Sequence, residues 1–438
     1  MDEPRQGTAL TVSVCVTATV AGRFTAVNEL EHAIGQATRA AGRQLYRQSL
    51  AAFQSAWLAQ RQGRFSAQRW RRLQWLTPFG PVELPVRVVR EKASGKYFTL
   101  SKVLFRSQAT RLLSPALEEQ AVAQATAQNY RPAARSLSRW IGQPLGHGLV
   151  WACVQFYGAR RVLELEKLPQ PPERPMKVPA LISEVDSTWL KAQRRRSRAL
   201  GGRHFPVYLG LHYTGRVRRY RARDSHSVRL QNKHLLASAA PLAQFGGRFQ
   251  REGLRHFQAP LHVILSDGDQ GLEWMRQRLF PGSLWLLDRW HIAQAVRSFV
   301  THHQAQYRQI MAPVWQADSE AVLEALRQSP LRHQRPQEFQ ALFGYILGNR
   351  EGIDAWKNLP PSLRRSTGST PPVLKCGSGA VEKNIEVSLN RRFKGQGRSW
   401  NPQCAEHLLQ LKLLSSQPTR WAHWWKTKPK FITKPNPP

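Results

Sequence analysis

ISEVDSTWL at residues 182–190 and LHVILSDGD at 261–269 each run apolar residues into an aspartate. Such short apolar runs ending in acid read as buried strands whose ends carry Asp186 and Asp267. Working outward, FPVYLGLHYT (205–214) and RVRRYRARDS (216–225) read as a hairpin turning at Thr214 and Gly215. Residues 228–245 read as mainly helical, GLEWMRQRLF (271–280) as a helix, and SLWLLDRWH (283–291) as a strand that again ends in acid, at Asp288.

Strand, strand, strand, helix, strand, helix, strand is the order of a ribonuclease H-like mixed five-stranded sheet, an α/β fold. In the order 3-2-1-4-5, the first and fourth strands are neighbours, so Asp186 and Asp267 are expected side by side. Paired carboxylates repel and raise each other's pKa. A divalent ion relieves that repulsion, and Mg²⁺ prefers such hard oxygen ligands. Two ions roughly 4 Å apart are suited to phosphoryl transfer. The expected cofactor is therefore Mg²⁺ (or Mn²⁺), two ions per site. A third carboxylate is expected from Glu382, early in the helix opened by Gly377-Ser378-Gly379, with Glu386 one turn later as its competitor. Asp269, Glu273, Glu184 and Asp224 are decoys or minor ligands on this reading, and Asp267 against Asp269 stays open. Asp288 and His291 are expected beside the site, in a supporting position or on DNA.

The flanks suggest eight segments: an N-terminal strand (the alternating TVSVCVTATV) plus long helix at 1–65, a small β unit at 66–110, and a helical, helix-turn-helix-like DNA-binding domain at 111–167. A proline-rich linker at 168–179 precedes the first part of the catalytic core, 180–300. A polar helical insertion follows at 301–365, then the glutamate helix at 366–415 and a basic flexible tail at 416–438.

Charge points to a polyanionic partner. The 438 residues carry 65 Lys and Arg against 28 Asp and Glu, a net +37, which repels itself unless neutralised. The excess is spread through RWRR (69–72), RRRSR (194–198), RVRRYRAR (216–223) and RRFKGQGR (391–398), as a long duplex crossing several domains requires. Expected DNA contacts are Arg194, Arg195, Arg196, Arg289, Lys383, Arg391, Arg392, Lys394, Arg398 and Trp400; for Trp400, base stacking and simple packing are both open. A hydrophobic fraction of 41% is enough for a buried core and excludes a fully disordered chain. No window is long and apolar enough for a membrane span, and the start lacks the basic n-region of a signal peptide. The four cysteines form no CxxC pair, which argues against a zinc ribbon and fits a reducing cytosol.

EVDSTWLKAQ, LSDGDQGLEW, LLDRWH and GSGAVEKNIEVSLNRRFKGQGRSW, in this order, resemble the motifs of bacterial insertion-sequence transposases of the DDE type, in the group related to Mutator-like transposases. The likeness covers about residues 10–415. Ser187 and Ser266 stand where that group tends to have glycine, and Asp269 where it has a small residue. The resemblance implies the triad Asp186, Asp267 and Glu382, with Asp186 bridging both ions. It implies binding to the terminal inverted repeats of a mobile element, end cleavage, and strand transfer into target DNA. It further implies a homodimer or higher oligomer in the bacterial cytoplasm, associated with the nucleoid. The competing readings are a catalytically inactive or domesticated DNA-binding protein of transposase origin, and another ribonuclease H-like nuclease.

Overall fold

The computed structural model describes residues 13–100, 113–167, 175–194, 200–218, 228–364 and 379–427. The chain divides into two compact units, one of residues 1–161 with 414–438 and one of 162–413.

In the first unit a helix, Val27–Ala59, lies on a hairpin of β1 (Phe65–Thr77) and β2 (Gly80–Glu91), with the short β3 (Tyr97–Thr99) beside β2. Tyr46, Leu50 and Trp57 of the helix pack on Trp75, Leu84, Val86 and Val89. Gln54 fixes the register: its buried amide donates to the Pro85 carbonyl (2.8 Å) and accepts from the Arg87 N–H (2.9 Å). One expectation is corrected here. Residues 13–20 form no strand despite their alternation, because they pair with no strand among the described residues. The hairpin turns at Pro78 and Phe79, and RWRR lies exposed on β1.

Helices Pro115–Ala127, Tyr130–Ile141 and His147–Glu166 follow, the second ended by Gly142 in the left-handed region (φ 70°). The turn between the last two is closed by Ser138, whose hydroxyl accepts from the Leu145 N–H. The expected flexible tail is corrected in part. Pro418–Thr427 is a helix that buries Trp424 and Trp425, the latter ring 4.6 Å from that of Tyr157.

The second unit is built on a five-stranded mixed sheet, ordered β12 (Leu284–Leu287), β11 (Leu261–Ser266), β5 (Ala180–Lys191), β6 (His204–Tyr213), β9 (His234–Ser238). Counted along the chain within the sheet, this is the order 3-2-1-4-5. β5, β11 and β12 are parallel, and β6 runs antiparallel to both of its neighbours. The third strand is not the one read from sequence. β7 (Gly215–Arg218) does not pair with β6; it pairs with β8 (Val228–Gln231) in a separate ribbon. Residues 228–245, expected to be helical, hold β8, β9 and only the start of a helix, Leu242–His256. Pairing along a free sheet edge overrides the helical leaning of its leucines and alanines. Asp186 also lies inside β5, not at its end, because the strand runs on to Lys191. Within the expected linker, β4 (Met176–Lys177) pairs with β10 (Phe257–Gln258); residues 168–174 lie outside the described set.

Side-chain alternation sorts the two faces of the sheet. Val185 and Ile264 pack on Phe245, Phe249, Leu272 and Met275 of the helices Leu242–His256 and Gln270–Leu279. Glu184 and Asp186 point to the opposite face. At the β12 edge, helices Arg289–Val300, Gln304–Gln316, Ser319–Gln328 and Pro336–Gly348 share an apolar core with Trp285 and Leu287. The expected insertion is thus packed around its own core and not merely polar. Glu406 of the helix Pro402–Ser415 closes the β9 edge, accepting from the Ser238 hydroxyl and the Ala239 N–H.

Gly210 on β6 has no space for a side chain: an added Cβ would sit 2.4 Å from the Phe249 ring. Gly210→Ala should therefore destabilise the second unit by about 1–3 kcal/mol, read as a lowered thermal midpoint, and an unchanged midpoint would contradict this packing.

Candidate active site

Register brings the first two acids together. Leu265 on β11 lies opposite Glu184 on β5, so Asp267, just past the end of β11, emerges beside Asp186, and the two acids interact through their charges. Neighbouring strands are about 4.8 Å apart, so the two carboxylates share one small volume. Burial raises the Asp186 pKa first, the negative charge of Asp267 raises it further, and the result is about 6.

The loop after β11 separates Asp267 from Asp269. Gly268 turns the chain at φ 86°, with a would-be Cβ 2.6 Å from the Asn349 side chain, so a larger residue is excluded by both conformation and space. Asp269 is then spent as a helix cap, its Oδ1 accepting from the Gly271 and Leu272 N–H groups. Asp267 keeps one Oδ1 contact, to the Asp269 N–H, and its carbonyl accepts from the Tyr345 hydroxyl at 2.8 Å. The geometry favours Asp267 over Asp269 as the partner of Asp186. Glu273 is likewise occupied, by Arg276.

Glu382 sits in the first turn of the helix Gly379–Ile385. A π-turn, Glu386–Asn390, continues that helix into Arg391–Phe393, and Glu386 is exposed, paired with Arg391 at 3.4 Å. Asp288 caps the helix Arg289–Val300, its Oδ1 accepting from the Trp290 N–H, and is fully buried. One turn on, His291 places Nε2 3.7 Å from Asp288 Oδ2 and 3.5 Å from Glu382 Oε1. The donor atoms of Asp288, His291 and Glu382 all lie within 4.8 Å of one another. Both His291 Nε2 and Glu382 Oε1 are buried without a hydrogen-bond partner. Orphaned ligand atoms facing each other at that spacing fit a bound cation. Burial raises the Glu382 pKa, Asp288 adds to the rise, and His291 opposes it. The charges of His291 and Glu382 also reach Asp186. One pocket of charge thus holds Asp186, Asp267, Asp288, His291 and Glu382.

Glu184, a decoy on sequence grounds, has a defined task. Its Oε1 accepts from the Tyr213 hydroxyl (2.7 Å) and its Oε2 from the Val381 N–H (2.8 Å). Arg216 stands 3.8 Å away. Burial lifts the Glu184 pKa to about 7 against these partners. The Val381 bond pins the glutamate helix to β5 one residue before Glu382. Tyr345 and Val381 were not legible as site residues, since neither lies in an acid motif.

The expected DNA contacts divide. Lys383, Arg391 and Lys394 are exposed on or beside the glutamate helix, and Arg194 is exposed after β5. Arg195, Arg196 and Asp224, with Gly377 and Ser378, lie outside the described residues. Arg289 is stacked over Trp356 (4.2 Å) and donates to the Trp315 carbonyl. Arg398 donates to the carbonyls of Arg391, Arg392 and Lys394, capping the helix end. Two expectations are corrected. Arg392 is only 2% exposed, under Trp400, and Trp400 is itself buried, its indole N–H donating to the Phe393 carbonyl. Packing, not base stacking, describes Trp400.

Glu184→Ala should free the glutamate helix without touching the acids. Hydrogen exchange in residues 379–390 should speed up by roughly 10-fold or more, the worth of a buried charged hydrogen bond; exchange unchanged from wild type would refute the anchor.

Among solved structures, the chain is similar to the Drosophila P element transposase strand transfer complex, at 9% identity and a TM-score of 0.22, over 71% of this chain and 80% of that one. No curated protein matches the chain. The described residues contain no helix long and apolar enough to cross a membrane. The profile of the uncharacterised protein family UPF0236 matches residues 21–428, and the chain belongs to that family.

Proposed function

We propose that this chain is a DNA transposase of the DDE type, cleaving the ends of a mobile element and joining them to target DNA. The observation that carries the proposal is the convergence of Asp186, Asp267 and Glu382, from β5, the β11 loop and the glutamate helix, into one charge-coupled pocket. The strand order supports a ribonuclease H-like catalytic domain, and the net charge of +37 supports a DNA partner.

The donor chemistry fits Mg²⁺ or Mn²⁺: Asp186, Asp267 and Glu382 offer hard carboxylate oxygens coupled by charge, and the cluster of Asp288, His291 and Glu382 adds a nitrogen that Mn²⁺ tolerates. Asp186, Asp267 and Glu382 would hold two ions. When bound, these ions would lower the pKa of an attacking water or 3′-hydroxyl and neutralise the charge on the scissile phosphate. The chain's own residues do the rest. Asp186 lies inside the central strand β5, a strand held by ladder bonds on both sides, and it would contribute to holding the ions. Asp288 and Glu382 flank the His291 ring, within 3.7 and 3.5 Å of its Nε2. Lys383, Arg391 and Lys394 lie exposed on the same helical run, where phosphate oxygens of a bound duplex would be held. Cutting both element ends together calls for a homodimer or larger assembly.

The test uses the full chain, Mg²⁺ or Mn²⁺, and labelled duplex carrying the repeats that flank its own gene. Asp186→Asn, Asp267→Asn and Glu382→Gln should each lower end cleavage and strand transfer at least about 10³-fold while salt-sensitive binding remains. Binding without cleavage by the unaltered protein would favour the non-catalytic DNA-binding reading. A preference for branched over linear DNA would favour a different nuclease of the same fold.

A further inference from the structure

A second cluster of ligating side chains lies on the other face of the sheet, at its outermost strand, β9. His234 opens β9 and pairs in register with His212 of β6. Glu252 and His256 lie four residues apart in the last turns of the helix Leu242–His256, so they share one face of it. Glu252 Oε1 is 3.4 Å from His234 Nδ1 and 3.1 Å from His256 Nε2. All three donor atoms lie within 4.8 Å of one another. Each side chain keeps some exposure, 18%, 19% and 25% for His234, Glu252 and His256, so solvent reaches the cluster.

The spacings carry chemical information. A tetrahedral zinc ion with bonds of about 2.1 Å sets its donor atoms about 3.4 Å apart. The contacts made by Glu252, 3.4 and 3.1 Å, lie close to that separation, so an ion would replace the ring N–H protons with only small side-chain shifts. The Phe257 ring stands edge-on to His234 at 5.3 Å and forms an apolar wall on one side. Two imidazoles and a carboxylate suit Zn²⁺ and related transition ions, not Mg²⁺.

We infer that His234, Glu252 and His256 form a zinc-class site that clips the end of the helix Leu242–His256 to the edge strand β9, with water completing the coordination. The site is separate from the acid pocket, which lies on the opposite face of β5. Its ion is structural: it ties down the sheet's outermost strand, whose other edge has no partner strand in this sheet.

The test is a zinc titration of the untagged, full-length, metal-stripped protein against a chromophoric chelator, with Co²⁺ absorption as a second readout. His291→Ala, which removes the only nitrogen from the acid pocket's ligand cluster, is the control background. In it, zinc should still bind, and Co²⁺ should give the intense visible bands of a tetrahedral site. Adding His234→Ala or His256→Ala should remove about one equivalent or weaken it at least 10-fold, roughly, and abolish the zinc-induced rise in thermal midpoint. Glu252→Gln keeps the volume and hydrogen bonding and should lose zinc in the same way, which covers a histidine variant that fails to fold. Zinc binding equal in folded wild type, His256→Ala and Glu252→Gln would overturn the site, as would no binding to the wild type at micromolar zinc.

Discussion

Repulsion between Asp186 and Asp267 is the constraint on which the second unit turns. A strand pair that sets two carboxylates opposite each other, half out of water, is unfavourable unless something positive stands between them. Among the described residues no arginine or lysine forms an ion pair with either acid, and His291, whose unpartnered nitrogen faces Glu382, lies nearby. The fold keeps this arrangement because everything around it is fixed by other interactions. β5 is central in the sheet, with β11 on one side and β6 on the other, so Asp186 cannot retreat. Gly268 and the Asp269 cap hold the β11 loop in one course. Acids held together at this cost are the basis of the proposal that a cation binds between them.

The third carboxylate arrives by a different route. Glu382 is distant in sequence, and the helix that carries it is short. That helix is located by one buried hydrogen bond, from the Val381 N–H to Glu184, two residues before Asp186 on the same strand face. One strand therefore supplies both an active acid and the anchor for another. The helical insertion joins in through Tyr345, which bonds the backbone of Asp267. Far from being a passive spacer, the insertion braces the acid loop from outside the sheet.

Much of this was legible in the residues. Apolar runs that end in acid are strong strand signals, and ISEVDSTWL, LHVILS and LWLL all became strands of one sheet. What failed did so for physical reasons. β9 was missed because HLLAS is as good a helix segment as a strand, and only the free edge of β6 decides between them. The alternation of residues 13–20 carried no weight without a partner strand. Arg392 and Trp400 looked like a nucleic-acid surface, but a basic run on a helix places some of its members inward, where the arginine stem packs over the indole. Glu184 was ambiguous, because a buried glutamate can be recognised only once its partners, Tyr213 and the Val381 N–H, are in place. Asp186 and Asp267 were read from strand order and Glu382 from the helix opened by Gly377-Ser378-Gly379, and the structure gathers all three through charge.

The central claim is that the acid pocket is a divalent-cation site. Anomalous diffraction from crystals of the full chain soaked in Mn²⁺ tests it directly. The account predicts manganese density between Asp186 and Asp267 and against Glu382, lost in Asp186→Asn crystals. Saturating Mn²⁺ with no density at these carboxylates, in crystals where the loop after β11 is ordered, would contradict it.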